Sequence, residues 1–186
     1  MKASNIGIKH CMRWIFIPFI LINLPTFADK TKLQTVTLQD LSWMDKNKMQ
    51  QQVDKVSELA KSKLGLSLHN NWNDISLLQN LIDKKIVLNS DTAMQEAMGV
   101  VLGNIMQADF PTHLQWKVYI DELGRSKGLC IKGTQDCLFP ITMLSRRMKL
   151  DLQPKVAEVY DNAIYQIDKN LPKIPYSDDL LHQLKR

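Results

Sequence analysis

Residues 110–139 read FPTHLQWKVYIDELGRSKGLCIKGTQDCLF, and within this stretch the apolar spacing changes from a helical period to a period of two. Leu114, Trp116, Val118 and Ile120 alternate with Gln115, Lys117 and Tyr119, which describes a strand with one face against a core. Asp121-Glu122-Leu123-Gly124 makes a turn. A second strand follows through Leu129 and Ile131, residues Gly133 to Asp136 turn again, and Cys137 to Phe139 give a third short strand. The expectation is a three-stranded antiparallel meander.

The segments on both sides are helical. From about Leu38 to Leu64, Met49, Val53, Val56, Ala60 and Leu64 recur at helical spacing, and Gly65 stands where a helix would stop. Asn71 to Asp74 resemble a helix start, with Ile75, Leu78, Leu81 and Ile82 on one face of a short helix ending near Lys85. Ser90-Asp91-Thr92 is a cluster of capping residues with Gln95 three after Thr92, so a third helix is predicted from there to about Ala108. Gly99 and Gly103 lie inside that helix, each costing about 1 kcal/mol relative to alanine, and close packing against a neighbour is the expected compensation. Pro140 suits the first turn of a helix that turns Ile141, Leu144 and Met148 inward and leaves Arg146 and Arg147 off that face. Pro154 opens a fifth, lined by Val156, Tyr160, Ala163, Ile164 and Ile167, and Ser177 starts a short terminal helix after a Leu-Pro-Lys-Ile-Pro break. About five helices around a small meander make a helix-rich α+β fold.

Residues 1–28 have the pattern of a cleaved signal peptide. Lys2, Lys9 and Arg13 form a basic leader, WIFIPFILINL over Trp14–Leu24 is apolar, and Thr26-Phe27-Ala28 supplies a small-x-small cleavage pattern. The apolar run is about half the roughly 20 residues of a spanning helix and is interrupted at Pro18, with Pro25 just beyond it, so the released chain is expected not to span a membrane. Cys11 precedes the cleavage pattern and does not read as a lipid-anchored cysteine. Residues 29–186 then form one domain of ordinary size, opening with a loose segment over 29–36. Three of the 24 basic residues and none of the 19 acidic ones fall in the leader, so the remainder carries 21 against 19 and the net charge drops from +5 to +2. That balance, without a basic run of five or more, gives nucleic acid no electrostatic footing.

The exported chain keeps Cys130 and Cys137, seven positions apart across the second turn. In an oxidising compartment such a pair is expected to form a disulfide. Closing so small a loop contributes about 2 to 3 kcal/mol on a chain-entropy account. His69, His113 and His182 form no ligand spacing with these cysteines, so no metal is expected, and no cofactor.

An ordered set of short pieces carries a family resemblance. Leu77-Leu78-Gln79-Asn80-Leu81-Ile82-Asp83 lies in the second helix, followed by Gly99-Val100-Val101-Leu102-Gly103, Trp116 opening a strand, and Asp121-Glu122-Leu123-Gly124-Arg125 at a turn. Phe139-Pro140-Ile141-Thr142-Met143-Leu144-Ser145-Arg146-Arg147 and Val159-Tyr160-Asp161 complete it. In this order the pieces from Leu77 to Tyr160 resemble a bacterial family known only as a domain of unknown function. The resemblance implies a compact mixed domain and carries no activity, cofactor or catalytic residue. The two cysteines lie outside its pattern and look like an adaptation to export.

Catalytic motifs are missing: there is no Gly-x-Ser-x-Gly, His-Glu-x-x-His, phosphate-binding glycine loop or Cys-x-x-Cys. Ser62-Lys63 and Ser126-Lys127 are neighbours whose side chains diverge on a helix or strand. Asp121 and Glu122 form a carboxylate pair of the kind used in glycoside chemistry, with a solvated turn as the plainer reading. Arg146 and Arg147 offer a guanidinium fork to an anion, or bridge to Glu158 or Asp161 on the next helix, or are simply solvated. Trp116 belongs to the core, whereas Trp72, beside Asn70, Asn71 and Asn73, is a candidate for stacking on a ligand or for stapling a helix entry.

Two function classes follow. The favoured one is a non-enzymatic, periplasmic binding domain that meets an envelope protein or component through Arg146, Arg147 and Trp72, in the manner of an immunity protein or inhibitor. The other is an envelope hydrolase acting on peptidoglycan, with Asp121, Glu122 or His113 assembled by folding. Thiol labelling of protein freshly isolated from the envelope is expected to leave Cys130 and Cys137 unmodified until a reductant is added. Immediate labelling of both would overturn the pairing.

Overall fold

A computed structural model describes residues 36–168. The leader over 1–28, the loose segment up to residue 35, the Leu-Pro-Lys-Ile-Pro break and the helix expected from Ser177 lie outside the described residues.

The chain enters as an edge strand, β1 (Thr37–Asp40). Helix α1 (Trp43–Leu64) follows because Ser42 caps it: the Ser42 hydroxyl accepts from the Asp45 amide at 3.1 Å, and the Asp45 carboxylate accepts from the Ser42 amide at 3.2 Å. The helix predicted from Leu38 therefore starts later, and the segment ahead of the cap pairs as a strand. Asp45 also meets Arg125 at 2.8 Å and Lys127 at 3.6 Å, tying the helix start to a neighbouring strand. The Ser42 hydrogen bonds, assisted by these two charges, hold its carboxyl below the usual range. Met49, Val53, Val56 and Ala60 form the buried stripe of α1, which ends at Gly65 in the left-handed conformation (φ 69°).

Helices α2 (Asn73–Asp83) and α3 (Thr92–Asp109) follow. The cap of α3 is Asp91, whose carboxylate accepts from the Met94 amide at 3.0 Å. Gln95 does not close a capping box from Thr92; it is fully buried and donates to the Leu88 carbonyl at 2.7 Å, holding the preceding loop. Helix α3 is apolar on most of its circumference, with Met98, Val101, Leu102 and Ile105 fully buried.

Beyond α3 run β2 (Leu114–Asp121), β3 (Gly124–Ile131) and the two-residue β4 (Cys137–Leu138). The sheet has four antiparallel strands in the order β1-β2-β3-β4, one more than the meander alone. In β2 against β3 the register Trp116↔Leu129 and Leu114↔Ile131 puts all four side chains on one buried face. The fourth strand, β1, pairs Leu38 with Tyr119 and Asp40 with Lys117, whose side chains also meet at 2.6 Å. Three of its four residues are exposed.

Helices α4 (Pro140–Met148) and α5 (Val156–Asp168) close the fold. Gln79 of α2 ties α5 down: its amide oxygen accepts from the Val156 amide at 2.8 Å, and its nitrogen reaches the Asp83 carboxylate at 2.8 Å. The two helical glycines have the close neighbours their cost demands. A Cβ at Gly99 would sit 2.5 Å from the Ile141 carbonyl oxygen and 2.6 Å from that of Pro140, and one at Gly103 would sit 2.2 Å from the Trp116 ring. The start of α4 and the Trp116 indole thus occupy the space two side chains would fill. The indole N–H donates to Asn104 at 3.0 Å, fixing the ring over Gly103.

Substitution tests this packing. Gly103→Ala is expected to destabilise by about 1 to 3 kcal/mol, as overpacking does, despite alanine's better helix propensity. Gly99→Ala should cost more, because backbone atoms cannot rotate aside. Urea unfolding reads both, and unchanged or raised stability in either variant would refute the account.

Candidate functional site

Proline at the first position of α4 sets that helix running directly from the end of β4. Along it Met143, Arg146 and Arg147 stand three and four residues apart and share one face. Val159, Asn162, Ala163 and Gln166 repeat the same spacing on α5. These two faces and the end of β4 enclose a concavity of ≈ 240 Å³. Leu138, Val159 and Ala163 give it a buried apolar floor, while Arg146, Asn162 and Gln166 are exposed on its rim.

The two arginines differ in their ties. Arg147 is partly buried and donates from Nη1 to the Met143 carbonyl at 2.7 Å, which orients its guanidinium along α4. Arg146 is exposed. Among the described residues neither forms an ion pair with a carboxylate, and Glu158, one of the two expected partners, pairs with Lys155 at 2.9 Å. Both arginines lie in the last turn of α4, where positive charge suits the helix dipole.

The strand edge beside the concavity is polar. Cys130 faces Cys137 across β3 and β4, and a disulfide joins them. The Ile131 amide donates to the Asp136 carbonyl at 2.9 Å, so the next pair, Cys130 with Cys137, is a non-hydrogen-bonded one. The N–H and C=O of Cys137 therefore point away from β3, along the margin of the concavity. Gly128 lies close under the bridge: a Cβ there would stand 3.2 Å from Cys137 Cβ. Phe139 turns to the sheet's other face and meets Tyr119 edge-on, with ring centroids 5.1 Å apart.

Trp72 does not line this concavity. It precedes α2, is 39 % exposed, and packs edge-on against Tyr160 with centroids 5.0 Å apart. Tyr160 donates its hydroxyl to Asp109 at 2.6 Å; burial, and then the Asp109 carboxylate, push its ionisation well above the ordinary range. Asp74, 1 % exposed, accepts from the amides of His69 and Asn70 and so folds the loop carrying Trp72. The sequence marks Asp74 as part of a helix start but gives no sign that it binds the preceding loop.

The hydrolase candidates are not brought together. Asp121 accepts from the amides of Leu123 and Gly124 at 2.9 and 3.1 Å, Glu122 lies in the same turn, and His113 precedes the far end of β2, where its ring meets the Thr112 hydroxyl. At about 3.3 Å per residue, that strand separates them by on the order of 25 Å. Among the described residues, no three His, Cys, Asp or Glu side chains gather as a metal site, and no helix is long and apolar enough to cross a membrane.

The elements around the concavity fall largely within one family segment. Residues 74–160 match the family described as Domain of unknown function (DUF3806). The DUF3806 segment contains α2, α3, the meander, α4 and the first turn of α5, and leaves β1 and α1 outside. It opens at the loop-binding Asp74 and ends at Tyr160, the residue under Trp72. A crystal structure from Bacteroides thetaiotaomicron shares the fold, with a TM-score of 0.62 at 18% identity over 69% of this chain. The match takes in 47% of that structure, so the chain spans about half its length. No curated protein matches the chain.

Trp72→Ala separates a staple from a ligand platform. Loss of the ring contact, beyond the area it covers, is expected to cost about 0.5 to 1.5 kcal/mol in urea unfolding. Full retention of stability would favour a surface role for the indole.

Proposed function

We propose that this protein is an exported, non-enzymatic binding domain of the cell envelope, held in the periplasm, and that it docks a partner through the concavity between α4 and α5. The observation that carries the reading is two neighbouring arginines on a hollow with an apolar floor and a polar rim, neither ion-paired to a carboxylate among the described residues. One oriented guanidinium, Arg147, and one exposed one, Arg146, beside an apolar floor suit recognition: the floor supplies burial, and the positive charge supplies sign.

Export rests on the leader pattern of residues 1–28, and the Cys130–Cys137 bridge suits an oxidising compartment. The sequence contains none of the common catalytic motifs, and Asp121 and His113 are spread along a strand, which favours binding over turnover. An immunity-type or inhibitor role against an envelope-directed toxin is one concrete form.

Fractionation combined with amino-terminal sequencing tests the export half. Protein from the envelope fraction is expected to begin at Asp29, and a chain retaining Met1 in the cytosol would overturn it. Affinity capture tests the binding half. A partner retained by the natural protein and lost with Arg146→Glu/Arg147→Glu is the expected result. Equal retention by both, or no specific partner, removes α4–α5 as the docking surface.

A further inference from the structure

We infer that the α4–α5 concavity takes the carboxy-terminal residue of a peptide, its free carboxylate held by Arg146 and Arg147 and its apolar side chain seated on Leu138, Val159 and Ala163. This rests on the binding role proposed above and specifies the chemistry of the bound group.

Size decides first. At ≈ 240 Å³ the hollow lies just below the roughly 300 Å³ at which sites for drug-sized ligands begin. It suits the end of a chain rather than a folded segment. Charge decides second. Arg146 and Arg147 stand together on α4, Arg147 is oriented by its bond to the Met143 carbonyl, and neither is matched by a carboxylate among the described residues. A carboxylate presents two oxygens in one plane, the geometry a guanidinium fork accepts best. The strand edge adds a third element: the N–H and C=O of Cys137 point away from β3, so the residues before the peptide's last one have backbone groups to pair with. An internal acidic side chain would also meet the arginines, but its chain would have to continue on both sides of so small a hollow. A peptide end has no such demand.

The test titrates the full chain with two synthetic tetrapeptides, acetyl-Gly-Ala-Ala-Leu as the free acid and as the carboxamide, and reads backbone amide shifts by NMR. The free acid is expected to move the amides of Cys137, Met143 and Ala163 and to bind at least about tenfold more tightly than the carboxamide, the size of one charge-assisted hydrogen bond. Arg146→Gln, at an exposed position, should weaken the free acid by a similar factor while thermal unfolding stays unchanged. Several outcomes overturn the inference. They are equal binding of acid and carboxamide, equal binding of acetyl-Gly-Ala-Glu-Ala-carboxamide, shifts confined to other surfaces, and no shifts at all. Shifts at these amides on diluting the protein alone would assign the hollow to a second copy. Binding seen only after Asp178→Lys and Asp179→Lys would assign it to the chain's own carboxy-terminal segment; both results overturn the inference. A captured partner that depends on Arg146 and Arg147 but binds equally well with its carboxy-terminus amidated refutes this inference and leaves the binding role standing.

Discussion

The approach of the α4 backbone to α3 is the contact on which the rest of the molecule depends. It is possible because Gly99 has no side chain, and Gly103 one turn later admits the Trp116 ring in the same way. Through these two positions α3 touches both the helix that carries the arginines and the strand that leads the meander. Pro140 and Ile141 fit against α3 only if the chain leaves β4 in one direction, so the close approach also sets where α4 points. The Phe-Pro-x-x-Met-x-x-Arg-Arg segment therefore combines two duties: Pro140 and Ile141 pack against α3, and Met143, Arg146 and Arg147 face the concavity.

Elements with a strong period and a buried face are legible in the sequence. The alternation through Trp116, the stripe of α1 and the broad apolar face of α3 each leave an unambiguous pattern, and the seven-residue spacing of Cys130 and Cys137 across a turn foretells their bridge. The resemblance over Leu77–Tyr160 lies within the 74–160 segment that the family model matches. What escapes is local and polar. Strand β1 has one half-buried residue in four and is held by backbone pairing and an Asp40–Lys117 ion pair, so no alternation marks it. Ser42 with Asp45 signals the true start of α1, but Leu38 and Leu41 fit the helical phase well enough to hide the boundary. Gln95 stands at capping-box spacing from Thr92, yet it serves the Leu88 carbonyl because the helix starts from Asp91.

The candidate site was half legible for a related reason. Spacing along one helix puts Arg146 and Arg147 off the core, and that much needs no fold. The opposite wall comes from α5 and the floor from Leu138, and nothing in the linear order says these meet. Trp72 reads as exposed among its asparagines and is exposed, but nothing in the linear order says that the loop held by Asp74 also lays its ring edge on Tyr160. The buried Asp74 and Gln95 and the half-buried Gln79 bind backbone partners, which leave no periodic trace.

The pairing of β1 with β2 bears on the order in which the molecule takes shape. Thr37 meets Ile120, so three helices lie in the chain between the first strand and the one it pairs with. Joining such remote segments carries a larger loop-closure cost than zipping β2 onto β3, whose ends are a single turn apart. That difference predicts that β2 and β3 pair ahead of β1 and β2.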